Sequence, residues 1–355
     1  MKPAGRFRSF SWFVIATIYF VFAQQVSLRA ANGLSSGDWF LFVESLILLF
    51  LLLVGYAAMG YAGQSQHEPL RTMGLARREG WKREFVVGAM VGWGGVVACV
   101  LPMAIFGSLV IRFWTDGHQF FLLCVNLLTL AVAALAEEIA FRGYAFQRLI
   151  DAIGPTLATF GMSVLFAVMH LLNTNATAAS TLITILAGWL FSIAYLRTRA
   201  LWLPWGLHFA WNASMGVLFG LPVSGLTVFN PVITTNAVGP IWLTGGGYGP
   251  EGSAVAVFVL PVLMIVLVRG TRDYAHKYAQ PLIVPGGIPV DIDAMARRRH
   301  EAAMGVAAAS NEPQLVQILP VAGSANGASP QASETEVDDP FAPAPPLQDS
   351  EPPSE

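Results

Sequence analysis

A long uncharged segment that ends in two adjacent carboxylates limits what this chain can fold into. Residues 119–135 read QFFLLCVNLLTLAVAAL and contain no charged side chain. Such a run suits the hydrocarbon core of a bilayer, where a spanning helix needs about 20 apolar residues. The sequence continues AEEIAFR, with no Pro or Gly before Gly143. The same helix is therefore expected to carry Glu137, Glu138 and Arg142.

The composition favours a membrane protein over a soluble one. The 355 residues are 55% hydrophobic and 12% charged, whereas a soluble domain carries roughly 25% charged residues. We therefore predict an all-α polytopic membrane protein. A net charge of -2 gives no bulk attraction to nucleic acid, and no nucleic-acid partner is expected. Cys99 and Cys124 lie in apolar runs and are predicted to be small buried hydrophobes rather than disulfide partners or zinc ligands.

The apolar runs predict about eight transmembrane helices. The first follows Lys2, Arg6 and Arg8 and lacks a small-residue cleavage site, so it is interpreted as a retained helix rather than a signal peptide. The predicted spans are 10–28, 39–62, 85–108, 119–146, 156–172, 177–196, 201–220 and 253–268.

Basic residues concentrate in alternate loops and predict the orientation. The 63–84 loop alone contains five Lys or Arg residues, whereas the opposite loops hold only Arg29 and Arg112. By the positive-inside rule, both termini are expected in the cytoplasm of a multi-pass protein of the cell membrane, of the bacterial inner-membrane type. The lipid bilayer is then an obligatory partner, and the sequence does not define an oligomeric state.

Four regions are predicted. Residues 1–118 would hold three helices, 119–220 the four helices of a catalytic core, and 221–285 an outer loop, the eighth helix and a juxtamembrane segment. The 221–252 loop is rich in Gly and Pro yet apolar, so we expect it to pack on the outer mouth of the bundle or to re-enter it. Residues 286–355 are rich in Ala, Pro, Ser, Asp and Glu and are predicted to be a disordered cytoplasmic tail.

Few ionisable residues fall inside the predicted spans, and such residues are functional candidates because burying them is costly. They are Glu44, Glu137, Glu138, Arg142, His170 and His208. Glu44 has no motif around it and is interpreted as structural. Ser163 lies seven residues before His170 on the same helix face but has no base of its own.

Three four-residue steps surround the other candidates. Glu138 and Arg142, Phe166 and His170, and His208 and Asn212 are each separated by one helical turn, which places each pair on one helix face. Glu138 is expected to pair with Arg142. Glu137 is turned about 100° away and must face another helix. At about 1.5 Å per residue, Glu137, His170 and His208 would lie roughly 15, 20 and 10 Å from the cytoplasmic side, in a shared layer.

This set of side chains suits the attack of water on a carbonyl group. One of two adjacent buried carboxylates can accept a proton near neutral pH and act as a base. A histidine can hold the water, and a second histidine with an asparagine can donate hydrogen bonds to an oxyanion. A metal version is equally open, in which Glu137, His170 and His208 ligate a divalent ion such as zinc. No HExxH motif is present.

EExxxR, FxxxH and HxxxN, in this order on successive apolar helices, resemble the CPBP family of intramembrane proteases. This family of CAAX proteases and bacteriocin-processing proteins is also called the CAAX prenyl protease 2 or lysostaphin-resistance-protein-A-like family and is grouped under the Abi label. The context LWLPWGLHFAWN is similar to that family as well, and the resemblance spans about 119–220.

The resemblance implies a role for each motif residue. Glu137 would activate water, and His170 would position that water or a metal. His208 and Asn212 would stabilise the oxyanion, while Arg142 would pair with Glu138 and shape the site. The expected partner is a peptide or membrane-protein substrate.

Two other functions remain open at this point. A proton-coupled transporter also buries Glu, Arg and His, although no repeat symmetry is visible. A non-catalytic scaffold or immunity protein would bind a partner in the membrane without needing the base.

Overall fold

The computed structural model describes residues 5–106 and 108–271, and the backbone of two two-residue strands further on, β3 (Leu282–Ile283) and β4 (Pro289–Val290). The strands β3 and β4 pair antiparallel within a separate unit, Pro281–Glu355. The predicted disordered tail, 286–355, lies outside the described residues except for β4.

The described residues of the first unit, Met1–Gln280, are mostly helical. Its helices are α1 (Arg6–Leu34), α2 (Phe40–Gln64), α3 (Trp81–Phe106), α4 (Gly117–Arg142), α5 (Tyr144–Ile153), α6 (Pro155–His170), α7 (Ala178–Thr198), α8 (Trp202–Ala213), α9 (Ile241–Thr244) and α10 (Ala254–Gly270). Single helical turns also occur, among them Ser214–Leu218, which continues α8.

Five helical segments within the described ranges are long and apolar enough to cross a membrane. They are Arg6–Leu34, Gly37–Gln64, Trp81–Phe106, Gly117–Ile153 and Ala178–Thr198. Two shorter apolar helices, α6 and α10, fall below that length. Every predicted span overlaps a helix, but the count of eight crossings is not confirmed.

One predicted span is divided into two helices. The span predicted over 119–146 is interrupted at Gly143, whose amide still donates to the carbonyl of Ile139 but whose backbone leaves the helical region. A Cβ at this position would lie 2.4 Å from that carbonyl oxygen, so only glycine fits the bend. The short helix α5 follows, with one strongly apolar face, and carries Arg148 and Asp151 as an ion pair.

A small β-sheet makes the all-α prediction wrong in one detail. The third span was predicted to reach residue 108, but α3 ends at Phe106 and residues Ser108–Phe113 form β1. Strand β1 pairs antiparallel with β2 (Ile233–Val238), with Ile111 opposite Thr235. This pairing attaches the 221–252 loop to the end of α3.

Close backbone contact joins α3 to α8. A Cβ at Gly88 would lie 2.1 Å from the carbonyl oxygen of Leu203, and one at Gly92 would lie 2.2 Å from that of Leu207. Glycines four residues apart on one helix allow this approach in membrane proteins. The contact sets the position of α8, the helix that carries His208.

The other helices complete the bundle. The pair α1 and α2 packs on α4 and α5, where Phe20 meets Phe141 edge to face at 5.3 Å. Helix α6 packs on α7, and a Cβ at Gly188 of α7 would lie 2.9 Å from the Cα of Ser163. The buried core runs through the centre of this bundle.

Both cysteines are free thiols, as predicted, but only one is buried. Cys99 is buried in α3, whereas Cys124 is exposed. The prediction for Cys124 is wrong because it shares the outward face of α4 with Phe121 and Leu128, which are also exposed. An apolar run predicts the environment of a helix, not which of its faces meets the bundle.

Candidate active site

Glu138 is the centre of the polar groups brought together in the bundle. Its Oε1 atom lies 2.8 Å from Nδ1 of His208 and 3.2 Å from Nη1 of Arg142. The carboxylate is fully buried, as is Arg142, and His208 is only 4% exposed. Glu138 therefore fixes the ring of a histidine on α8 and the guanidinium of its own helix at the same time.

Arg142 is enclosed as completely as Glu138. Its Nη2 donates to the carbonyl of Gly188 at 3.0 Å, which ties α4 to α7. Its guanidinium carbon lies 4.8 Å from the ring centre of Phe166 and 5.1 Å from that of Phe191. A buried cation held by one carboxylate, one carbonyl and aromatic faces has little freedom to move. The pairing predicted from the four-residue spacing is present.

Glu137 faces away from Glu138 and towards another helix, as its rotation about α4 predicts. Its Oε2 lies 3.8 Å from Nε2 of His208, beyond hydrogen-bond distance, and has no hydrogen-bond partner among the described residues. The side chain is one-third exposed. The imidazole of His208 thus lies between two carboxylates, with Glu138 at Nδ1 and Glu137 near Nε2.

Phe191 stacks on the face of the His208 ring. The two rings stack at 4.6 Å with an interplanar angle of 20°. A ring with one hydrogen bond and a stacked neighbour is restricted in both rotation and tilt. Its Nε2 atom therefore keeps its direction relative to Glu137.

His170 lies at the end of α6, and one nitrogen of its ring makes a hydrogen bond within that helix. Its Nδ1 lies 2.8 Å from the carbonyl oxygen of Phe166. A carbonyl oxygen only accepts, so Nδ1 carries the proton and Nε2 of the neutral ring is an acceptor. Asn212 makes no side-chain hydrogen bond with the described residues, and its amide remains available.

The side chains of Glu137, His170, His208 and Asn212 line one cavity of about 300 Å³. Cavities that bind small molecules start at about this size. Glu138 and Arg142 lie behind the wall, where they support the lining rather than reach the space. Ser163 is also outside the cavity lining; its hydroxyl donates to Thr159 of the preceding turn.

Two further acids line this cavity, and sequence reasoning missed both. Glu44 of α2 was interpreted as structural, and Glu251 was hidden in the 221–252 loop. Glu44 gave a usable signal, because it is an ionisable residue inside an apolar run. Glu251 gave none, because an acid in a loop is ordinary and its position depends on the tertiary fold.

Glu251 is satisfied by three donors. Its Oε1 accepts from Nε1 of Trp211 at 2.9 Å, and its Oε2 accepts from the amide and the hydroxyl of Ser224 at 2.6 and 2.8 Å. The carboxylate therefore joins both ends of the 221–252 loop to α8. Burial raises the pKa of the neighbouring Tyr248 hydroxyl to about 12, so that side chain stays neutral at physiological pH.

The loop after His170 is also attached to the 221–252 loop. Asn173 donates to the carbonyl of Ser224 at 3.0 Å, and Thr174 donates to that of Gly225 at 2.5 Å. Val223, Ser224 and Phe229 themselves line the cavity. The 221–252 loop is thus one wall of the cavity in the structure.

The three side chains predicted to bind a metal, those of Glu137, His170 and His208, all line the cavity. Among the residues that the structure describes, no three His, Cys, Asp or Glu side chains form a group that could hold a metal ion. Nδ1 of His208 is hydrogen-bonded to Glu138 and Nδ1 of His170 to a carbonyl, an arrangement that leaves Nε2 of each ring able to bind a metal. The metal version of the site therefore stays a prediction, and no chemical step is assigned to a metal.

The fold and the cavity define a helical protein of the membrane type with an acid–histidine site. Residues 118–214 match the family model for Rce1-like proteins, described as type II CAAX prenyl endopeptidase Rce1-like. This match covers all three motifs but less than a third of the chain. The match supports the resemblance predicted from the motifs: this segment is similar to CAAX-type proteases. No curated protein and no solved structure matched the chain.

Proposed function

We propose that this protein is an intramembrane endopeptidase that hydrolyses peptide bonds with water activated by Glu137. The observation that carries the proposal is the placement of Glu137 and His208 on one cavity wall, 3.8 Å apart, with Glu138 buried behind the histidine. The family match supports a protease, since its description names an endopeptidase.

Glu137 acts as the base in this proposal. Its side chain lines the cavity and is one-third exposed, so the carboxylate can meet a water there, and its buried Oε2 has no hydrogen-bond partner within the described part of the chain. The free Nε2 of His170 accepts a hydrogen bond from the same water. Transfer of one proton to Glu137 leaves a hydroxide that attacks the carbonyl carbon of the substrate.

His208 and Asn212 stabilise the charge that develops on the carbonyl oxygen. With the ring protonated on both nitrogens, Nδ1 donates to Glu138 and Nε2 is free to donate to the oxyanion, together with the Asn212 amide. When the tetrahedral intermediate collapses, the C–N bond breaks. The proton held by Glu137 then passes to the leaving amine, so that the carboxylate is regenerated.

Glu138 and Arg142 are positioning residues in this scheme. They do not line the cavity, and each is fully buried. Their ion pair holds His208 at the correct angle, which is what an oxyanion donor requires.

Eight crossings with both termini in the cytoplasm complete the proposal. Substrates would reach the cavity from the inner leaflet or the cytoplasm. Nothing in the cavity requires a prenylated substrate, so peptide maturation and membrane-protein turnover are both compatible with it.

The decisive experiment compares wild type with Glu137→Gln in cells at equal expression, by mass spectrometry of membrane-protein fragments and peptides. Fragments that disappear only in the variant would establish proteolysis and name substrates. If the folded variant produces the same fragments and the same phenotype, the scaffold function replaces this proposal.

An assay with the purified protein tests whether the activity requires a metal ion. Activity in liposomes is measured before and after treatment with a strong chelator, with Glu137→Gln as the inactive reference. Activity that is lost to the chelator and restored by zinc would establish the metal version of the site; unchanged activity would rule it out.

A further inference from the structure

Glu44 lies on the wall of the same cavity but outside the segment that matches the family. It belongs to α2, within the membrane-type segment Gly37–Gln64, whereas the match begins at residue 118. The side chain is half-buried. The position of this acid is therefore a property of this chain's own N-terminal helices.

No charge within the described part of the chain compensates Glu44. Its carboxylate makes no hydrogen bond or ion pair there, in contrast to Glu138 with Arg142 and Glu251 with Ser224 and Trp211. A carboxylate in a membrane span is costly unless it meets a partner or water. Glu44 is thus a cavity acid with neither a hydrogen bond nor an ion pair in the described part of the chain, whereas Glu137 at least lies 3.8 Å from Nε2 of His208.

The carboxylates that line the cavity have no lysine or arginine beside them in the lining that the structure describes. Among the described residues, the lining includes three carboxylates, on Glu44, Glu137 and Glu251, but no lysine or arginine side chain. Arg142 is directed elsewhere, to Glu138 and the Gly188 carbonyl. An anionic group, such as the free carboxylate at the end of a peptide, would therefore meet no lysine or arginine among the described residues of the lining.

The proposed catalytic side chains and the polar side chains around Glu44 come from different helices. The proposed catalytic groups come from α4, α6 and α8, while Glu44, Ser45 and Gln24 come from α2 and α1. Ser45 donates to the carbonyl of Leu41 in its own helix, so its hydroxyl does not satisfy Glu44. A substrate held against the catalytic groups would thus have a second, acidic contact on the α2 side.

We infer that Glu44 selects peptide substrates carrying a lysine or arginine side chain close to the bond that is cut. The ammonium or guanidinium group pairs with Glu44 in a cavity of low dielectric, and this pairing orients the peptide with its scissile carbonyl towards Glu137. This inference names the substrate class of the proposed protease site and rests on that function. It makes Glu44 a specificity-determining residue, not a catalytic one.

The first test measures binding without cleavage. The full-length chain carrying Glu137→Gln is purified in nanodiscs and titrated with three blocked tripeptides of the form Leu-X-Leu, where X is lysine, norleucine or glutamate. The lysine peptide is expected to bind at least about tenfold more tightly than the norleucine peptide, and the glutamate peptide more weakly than either. This preference should vanish when Glu44→Gln is added and should reverse towards glutamate with Glu44→Lys.

A matched control separates the local effect from the general loss of a negative charge. Glu68→Gln removes an acid that is exposed and pairs with Arg71 outside the cavity, and it should leave the order of the three affinities unchanged. Equal affinities for the lysine and norleucine peptides, or no binding of either, would overturn the inference.

The second test uses cleavage of a mixed peptide library by the otherwise wild-type chain. Lysine and arginine should be enriched near the cut bonds, and Glu44→Gln should lower that enrichment at least about fivefold. An unchanged cleavage profile in Glu44→Gln would overturn the inference. Cleavage that persists in Glu137→Gln would instead overturn the proposed chemistry, while the binding preference would still decide the role of Glu44.

Discussion

Nδ1 of His208 lies 2.8 Å from Oε1 of Glu138, across the contact between α8 and α4. The same oxygen also faces Arg142 at 3.2 Å. The buried carboxylate of Glu138 therefore connects the arginine of the EExxxR motif with the histidine of the HxxxN motif. The three residues act as one unit, which explains why two adjacent acids occur on an apolar helix: one supports the histidine and the other faces the cavity.

Removal of the Glu138 charge should destabilise the fold. Glu138→Gln leaves Arg142 fully buried without its counter-charge, and breaking a buried ion pair in this way costs about 3–5 kcal/mol. Adding Arg142→Met should recover a large part of that loss, because the double variant buries no unpaired charge. Unfolding in mixed micelles measures both effects, and neither variant should regain full activity.

The exposed ion pair of Glu68 and Arg71 is the control for the Glu138 and Arg142 substitutions. Both side chains are more than half exposed, so Glu68→Gln and Arg71→Met should each change the free energy of unfolding by only about 0–1 kcal/mol. If Glu138→Gln were equally mild, the buried pair would not stabilise the bundle as described.

His208→Gln should lower kcat by about 10²–10³-fold, the effect of removing one oxyanion donor. KM should change little, because the lost interaction forms mainly in the transition state. Steady-state kinetics with a cleavable peptide measures both constants. His118→Gln alters a well-exposed histidine and should leave both unchanged; a rise in KM alone for His208→Gln would mean that the ring binds substrate rather than the transition state.

Much of this site follows from the sequence because helical spacing is a local property. The pairing of Glu138 with Arg142 and the turn of Glu137 towards another helix depend only on residues within one or two turns. The positions of the helices themselves follow from long uncharged runs. These features need no knowledge of which helices are neighbours.

The parts that could not be predicted depend on contacts between distant segments. Strand β1 pairs with residues more than a hundred positions later, and short apolar strands of this kind resemble the end of a helix in sequence. Glu44 and Glu251 reach the cavity only because α2 and the 221–252 loop pack around α4 and α8. Cys124 is exposed because of the face it occupies on α4, which an apolar run does not reveal.

Gly92→Ala should disturb the contact that positions α8. The added Cβ would lie 2.2 Å from the carbonyl oxygen of Leu207, and backbone cannot yield as a flexible side chain would. A shift of α3 from α8 should cost about 1–3 kcal/mol and lower activity, because His208 follows Leu207 directly. Thermal unfolding and the peptide assay should change together.

Gly94→Ala is the matched control in the same helix. A Cβ there meets nothing within 4 Å, so the protein should not be destabilised, and the higher helix propensity of alanine should add up to about 1 kcal/mol of stability. Equal effects at both positions would show that helix propensity, rather than the close approach to α8, decides the outcome.

Glu251→Ala should release the 221–252 loop from the cavity. The substitution removes the acceptor for the Ser224 amide and hydroxyl and for the Trp211 indole. Hydrogen bonds to a charged group contribute about 1.5–3 kcal/mol each. Amide hydrogen exchange in peptides that cover residues 221–229 should therefore accelerate at least about tenfold, and activity should fall because this loop forms a cavity wall.

Thr227→Ala changes an exposed side chain of the same loop and should leave the exchange rates near those of wild type. Comparison of the two variants isolates the effect of the Glu251 carboxylate, because each variant shortens one side chain of the 221–252 loop. Unchanged exchange in Glu251→Ala would mean that the β1–β2 pairing and the contacts of Asn173 and Thr174 hold the loop without help from Glu251. Faster exchange with full activity would mean that the loop covers the cavity without shaping the catalytic groups.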